Sequence, residues 1–340
     1  MSQQPPLISI CIPTYRRPEF LKLAIESCLN QTYPNIEIVV SDDSPDDRTE
    51  EMIRGLKRSD RIRYVRNRPA LRQAANTTNA FNLAKGDRLV LLHDDDLLLP
   101  NAVADLASAW DLNPNLVMSY GKYQMMDADG RPMPAETREF YQFLEQTPTY
   151  PHWQRSLWWM VLSGLFAPNG FMIRTDVAQK IGYSTDPAIG DACDLDFDLR
   201  LAQNYDDFWF VNEYISVYRM AQMNSESAKD NSTSANYGYR LMESTQVPAE
   251  LQSLKSRWLK NIAPYAISRW LHFGNKRTAA RIYFSSHYPW KRRLSPKGLA
   301  QLLILLLPAR WGTELLASLK NLKYSLKGLK QSPPARLRTE

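Results

Sequence analysis

The stretch Arg88-Leu89-Val90-Leu91-Leu92-His93-Asp94-Asp95-Asp96-Leu97-Leu98 sets the frame for the chain. Its first six residues are short, aliphatic and preceded by Gly86-Asp87, which predicts a buried strand. Three adjacent carboxylates then fall where that strand ends. They repel one another, and withdrawing them from water is costly unless a positive group compensates. A divalent cation is one such group; hard oxygen ligands suit Mg²⁺ or Mn²⁺, commonly shared with a phosphate-bearing ligand. The alternative is a solvated acidic turn capping a helix that starts at Pro100.

Working outward, the same grammar repeats. Leu7 to Ile12 reads as a strand broken by Pro13-Thr14-Tyr15-Arg16-Arg17-Pro18, and Phe20, Leu21, Ala24, Ile25, Cys28 and Leu29 follow at helical spacing. Ile36 to Val40 is a second strand ending at Ser41-Asp42-Asp43. A helix to about Lys57, a strand over 62–65 and a helix over 73–85 lead back to Arg88. Short connections between alternating strands and helices predict an α/β fold with a mostly parallel, Rossmann-like sheet flanked by helices. Ligands bind such sheets outside the carboxyl ends of the strands. Pro13-Thr14-Tyr15, Asp42-Asp43 and Asp94-Asp95-Asp96 all fall at such ends, which predicts one site. Neither G-x-G-x-x-G nor G-x-x-x-x-G-K-[ST] is present, so neither a dinucleotide fingerprint nor a P-loop is indicated.

Beyond the acids, the pattern predicts a helix over 101–112, strands over 116–120 and 169–174, a helix over 193–203 and a strand pair over 208–211 and 215–219. The stretch 136–167 is rich in aromatics, Trp158 among them, suited either to stacking on sugars or lipid or to packing on the sheet. Residues 224–236 are rich in Ser and Asn and read as a loop.

Three cysteines among 340 residues are too few and too scattered for a disulfide frame or a zinc site, which points to a reducing compartment. The N-terminus has no signal-peptide pattern, and no apolar run reaches the length of a bilayer span. The net charge of +6 hides an asymmetry: residues 250–340 carry 18 Lys/Arg against 3 Asp/Glu, leaving 24 against 33 in residues 1–249. The tail therefore favours a polyanion, either an anionic membrane surface or nucleic acid; no nucleic-acid motif supports the latter. Leucines from Leu315 to Leu329 recur among Lys320, Lys323, Lys327 and Lys330, the profile of a basic amphipathic helix.

Four ordered segments carry a family resemblance: Ile10 to Arg17; Ile38 to Ser44; Asn79 to Gly86 running into Leu92 to Asp96; and Asp191 to Arg200 followed by Val217-Tyr218-Arg219. Over about 7–225 the chain resembles a family 2 glycosyltransferase of GT-A fold. The resemblance implies a glycosyltransferase domain over 1–235, with a nucleotide-binding half to about 120 and an acceptor half beyond. A basic helical region over 236–330 and a disordered 331–340 would follow. It implies an inverting transfer from a nucleotide-sugar donor, most simply a UDP-sugar, to a glycan or lipid-linked acceptor in cell-surface polysaccharide synthesis; the basic tail would hold the chain at the cytoplasmic face of the membrane. Pro13, Thr14, Tyr15 and Asp43 match nucleotide-contacting positions, with Arg72 and Asp94 placed beside them. Asp95 matches the metal ligand of a D-x-D-like motif; Asp94 and Asp96 flank it, the register leaves open which of them helps, and Asp96 is placed with the metal. Asp194 matches the general base. Asp191, Arg200, Arg219 and Trp158 fall in the acceptor or diphosphate region. His93 stands where many members carry an acid, Cys193 where Glu is usual, and Ala221 where His often lies. Those departures leave a weak or silent transferase-like scaffold as an alternative.

Overall fold

The computed structural model describes residues 4–145, 156–164, 166, 169–220 and 232–308. Elements run β1 (Ile8–Thr14), α1 (Pro18–Leu29), β2 (Ile36–Asp42), α2 (Arg48–Arg54), β3 (Ile62–Arg66), α3 (Gln73–Leu83), β4 (Arg88–Leu91), β5 (Leu97–Leu98), α4 (Ala102–Leu112), β6 (Met118–Met126), α5 (Pro134–Glu145), α6 (Leu157–Ser163), β7 (Phe171–Arg174), α7 (Thr175–Ile181), α8 (Cys193–Asn204) and β8 (Phe208–Arg219). The helices α9 (Ser234–Ser244), α10 (Gln252–His272), α11 (Lys276–Tyr283), α12 (Trp290–Arg293) and α13 (Pro296–Leu306) follow.

The strands form one sheet in the order β3-β2-β1-β4-β7-β6-β8-β5. Its first four strands are parallel, as the alternating pattern predicts. The register sets Thr14 beside Asp42 and Cys11 beside Leu91. Strand ends and the polar residues that follow them therefore share one edge. Buried Ile8, Ile10, Ile12, Ile38, Val40 and Val90 pack under Leu21, Ala24, Ile25 and Cys28 of α1, whose first turn accepts Pro18.

The second half of the sheet is mixed: β7 runs antiparallel to β4 and β6, and β5 antiparallel to β8. The expected pair at 208–211 and 215–219 is instead one strand. Polar Asn212-Glu213 reads as a break, but the ladder bulges there, opposite Gly121 and Lys122. Gly121 permits the bulge, since a Cβ on it would lie 2.3 Å from the Ile215 side chain. The two-residue β5, too short to show in the sequence pattern, pairs Leu97 with Val217 and brings Tyr218-Arg219 to the acids.

The chain divides into two compact units, residues 1–234 with 245–254, and residues 235–244 with 255–340. Within the second, α10 contains Pro264, which cannot donate to the Lys260 carbonyl. The Arg292 guanidinium donates to that carbonyl instead. No described helix is long and apolar enough to cross a membrane. The expected helix over 315–330, and Ala221, lie outside the described residues.

Candidate active site

The site is built on three strand ends. At the end of β1, buried Thr14 donates its hydroxyl to Asp94 Oδ2 at 2.7 Å, tying the first polar turn to the acid loop. The Thr14 carbonyl accepts from the Asp43 amide and from Asn76 Nδ2.

At the end of β2, Asp43 is 4% exposed and has three protein donors. Oδ1 accepts from Asn67 Nδ2 at 2.8 Å and the Leu71 amide at 3.0 Å; Oδ2 accepts from the Arg72 amide at 2.7 Å. A carboxylate offers about four acceptor positions, so one on Oδ2 remains for a ligand N–H. Arg72 itself sits at φ +73°, an uncommon backbone for a bulky residue, held by its bond to Asp43. Tyr15, Asp43, Ser44, Pro45, Asn67, Arg68, Pro69 and Ala70 line an open pocket of about 390 Å³. Arg66 fixes its wall by donating to the carbonyls of Ser44 and Pro45. Tyr15 is 48% exposed at its rim, with the Arg16 guanidinium 5.2 Å from its ring centre.

The acids after β4 play three different parts. Asp94 is buried, and burial foremost pushes its carboxyl up to about 6, against the pull of Arg17. Arg17 Nη1 lies 3.2 Å from Asp94 Oδ1 and 2.9 Å from Asp95 Oδ2. Asp96 is buried deepest, and burial pushes it up to about 7. Its two oxygens accept from the Arg219 amide at 2.7 Å and from Asn169 Nδ2 at 2.6 Å, while Asn169 Oδ1 accepts from the His93 amide. Asp95 is the most open of the three, its side chain 23% exposed. No group of three His, Cys, Asp or Glu able to hold a metal occurs among the described residues. Asp94 and Asp96 are engaged by protein donors and Asp95 Oδ2 by Arg17, so a cation held here by Asp95 would need further ligands from a bound anion.

Asp194 stands in the first turn of α8 and is partly open to solvent. Withdrawal from water raises its pKa most; His93 and the Tyr183 hydroxyl pull it down, and Asp191 pushes it up. The buried Tyr183 hydroxyl lies beside Asp194 without meeting hydrogen-bond geometry with any described group. Tyr218, on β8, is pushed up to about 12, first by burial and then by Asp96, Asp95 and Asp194 together. Its hydroxyl therefore feels charge from both the acid loop and the α8 carboxylate. Asp191 is held by Thr233, whose amide donates to its Oδ2 at 2.7 Å.

Other predicted residues support the site from behind. Arg200 donates to Asp196 and to the carbonyls of Ile181 and Gly182, locking α8 onto the end of α7. Arg219 donates Nε–H to the Asp95 carbonyl and lies over the Phe20 ring, holding the acid loop rather than facing open space. Trp158 is 7% exposed within α6. Pro13 lies in β1, beside Ser41 of β2. Cys193 is buried, and its thiol is pushed far up by burial. Sequence reasoning gave no part to Arg17, Asn67, Asn169 or Tyr218. Arg17 lies in the first segment of the family resemblance, where the adjacent pair Arg16-Arg17 after a strand end was the available signal; Asn67 and Asn169 are brought in only by tertiary contacts.

The family model for glycosyl transferase family 2 matches residues 9–182, just over half the chain. An uncharacterized glycosyltransferase of Methanocaldococcus jannaschii is 26% identical over 218 residues, 63% of this chain and 71% of that protein. The GalNAc(5)-diNAcBac-PP-undecaprenol beta-1,3-glucosyltransferase of Campylobacter jejuni is 36% identical over 103 residues, 30% of this chain and 33% of that protein. The S. aureus TarS 1-349 structure in complex with UDP-GlcNAc superposes over 88% of this chain and 79% of that one, with TM-score 0.56 and 15% identity, a likeness of fold. On the family match, with the four-stranded parallel half and its acid loop in place, the chain belongs to glycosyl transferase family 2.

Proposed function

We propose that the chain is an inverting, metal-assisted glycosyltransferase that moves a sugar from a UDP-sugar to a glycan or lipid-linked hydroxyl in cell-surface polysaccharide synthesis. Sugar transfer from a nucleotide-sugar donor to an acceptor comes with membership of the family; base, stereochemistry, metal and residue roles are the proposal.

The observation that carries it is the joining of the strand ends at the acid loop, where the Thr14 hydroxyl donates to Asp94 and the Arg219 amide to Asp96, with neighbouring Tyr218 feeling the charges of Asp95, Asp96 and Asp194. A diphosphate anchored at the acid loop and a carboxylate at α8 would then share one reaction space. In this reading the base enters the pocket lined by Tyr15, Asp43 and Asn67, with the last acceptor position of Asp43 taking a base N–H. Asp95 would hold a divalent cation with the diphosphate oxygens; when bound, the cation neutralises charge on the leaving group. Arg17, paired with Asp94 and Asp95, holds a positive charge beside the place the diphosphate would take. Asp194 takes the proton from the acceptor hydroxyl as its oxygen forms the new bond to the anomeric carbon. The bond from that carbon to the diphosphate oxygen breaks, its electron pair leaving with the diphosphate. One base and one displacement invert the configuration. General-base assistance of this kind is worth typically ~10²–10⁴ in rate. The raised pKa of Asp194 strengthens it as a base.

The test is release of UDP from a panel of UDP-sugars with lipid-linked acceptors, for the wild type and Asp194→Asn. Turnover by the wild type, with Asp194→Asn binding UDP normally but turning over at least ~10²-fold more slowly, supports the reading. Equal turnover by both removes Asp194 from it, and binding without turnover by the wild type identifies a silent scaffold.

A further inference from the structure

The helix α13 is built inside out. Its buried stripe is Gly298, Gln301 and Ile304, while Leu299, Leu303 and Leu306 are 50%, 49% and 76% exposed. Spacings of four and three place those leucines on one face. Burying Gln301 is made tolerable by its bonds: Nε2 donates to the Pro264 carbonyl and to Ser268 Oγ, both at 2.8 Å, and Oε1 accepts from the Tyr288 hydroxyl. This network fixes which way the helix faces, so the leucines cannot roll inward without breaking it. Gly298 lets the α12 backbone approach closely, since a Cβ there would lie 2.2 Å from the Arg292 carbonyl. Thus α12 and the start of α13 form one surface. It carries Trp290 at 63% and Leu294 at 62% exposure.

From Lys276 to Pro308 there are seven Lys/Arg and no Asp/Glu. Arg281 of this segment pairs with Glu243 of α9, and the rest of the charge the segment carries is basic. A second copy would set like charge against like. Residues 309–340, with seven Lys/Arg and two Asp/Glu, would do the same. An occupant that is apolar beneath and anionic at its surface answers both features, and a bilayer with acidic headgroups is that occupant. Exposed tryptophan suits the headgroup level, and lysine stems reach from an apolar face to phosphate.

We propose that the α12–α13 surface docks on an anionic membrane, with Leu299, Leu303 and Leu306 entering the acyl boundary and Lys291 and Lys297 meeting lipid phosphates. The proposal is independent of sugar transfer.

The full chain is sedimented with vesicles of phosphatidylcholine alone and of equal parts phosphatidylcholine and phosphatidylglycerol. Binding to the mixed vesicles, weakened by salt, is expected. Lys291→Gln with Lys297→Gln should weaken it roughly 30-fold, about five-fold for each charge. Leu299→Gln with Leu303→Gln should weaken it at least ~10-fold, with the thermal melt unchanged. Absence of binding to the mixed vesicles overturns the proposal. So does binding that both variant pairs leave intact, or binding that survives the leucine pair and is lost in Leu319→Gln with Leu322→Gln, which moves the anchor to the 315–330 stretch. Self-association in solution that the leucine pair abolishes, without vesicle binding, also overturns it and assigns the face to a second copy.

Discussion

Replacing Asp43 by asparagine separates a nucleotide contact from a mere surface acid. The carboxylate takes three donors, and its Oδ2 faces the Arg72 amide at 2.7 Å. An asparagine that keeps its carbonyl toward Asn67 Nδ2 and the Leu71 amide puts an NH₂ group against the Arg72 N–H. One backbone donor is then stranded, at about 1–3 kcal/mol, and a charge-assisted bond is lost. Arg72, held at φ +73°, has no other described bond on that amide, so the 71–72 turn should loosen. The last acceptor position of Oδ2 also becomes a donor and opposes a base N–H. A net loss of about 2 kcal/mol corresponds to roughly 30-fold weaker UDP binding. Calorimetry would read the affinity, and amide hydrogen exchange would read the protection of Leu71 and Arg72. The expected result is weaker UDP binding together with faster exchange at Arg72. Affinity within two-fold of wild type, with the Arg72 amide still protected, would refute both the hydrogen-bond accounting and the assignment of the pocket.

Asn169→Ala should strand the His93 amide and one Asp96 oxygen, costing about 1–3 kcal/mol in urea unfolding; an unchanged midpoint would contradict that role. Asp198 is buried with Oδ1 unpartnered among the described residues, and burial holds its pKa well above that of an unfolded aspartate. The folded state therefore keeps a proton that the unfolded state releases as pH rises, so this group lowers stability above about pH 4. Asp198→Asn should gain stability over wild type as pH is raised from 4 to 8, and a gain constant across that range would count against it. If Asp194 is the base, transfer rises as it deprotonates, with an acid limb above the ordinary aspartate range. Tyr183→Phe should move that limb up and Asp191→Asn should move it down; shifts in the same direction in a pH–rate profile would be inconsistent with the arrangement.

The parallel half of the sheet was legible because each strand is an aliphatic run and each helix keeps its apolar stripe. The rule that ligands bind at the carboxyl ends then gathers Thr14, Asp43 and the acids from the sequence pattern alone. What the sequence hid has physical causes. β5 is two residues long, below any periodicity, yet it delivers Tyr218 and Arg219 to the acids. The bulge at Gly121–Lys122 lets polar Asn212-Glu213 remain inside one strand. Charge alone could not rank Asp94, Asp95 and Asp96, since three identical side chains differ only in their partners; Thr14, Arg17, Asn169 and the Arg219 amide distinguish them. Similarly, the sequence does not show that Arg200 is bonded to Asp196 and to the carbonyls of Ile181 and Gly182, or that Arg219 is bonded to the Asp95 carbonyl. The leucine stripe of α13 is a plain apolar run in the sequence, and only the burial of Gln301 shows which side faces out.

The most direct test of the account is calorimetric titration of UDP, GDP and dTDP, with and without Mn²⁺, into wild type and Asp95→Ala. UDP should bind, Mn²⁺ should tighten its binding, and Asp95→Ala should lose that gain while retaining the metal-free affinity. Failure of all three nucleotides to bind the wild type, with or without Mn²⁺, would contradict the account.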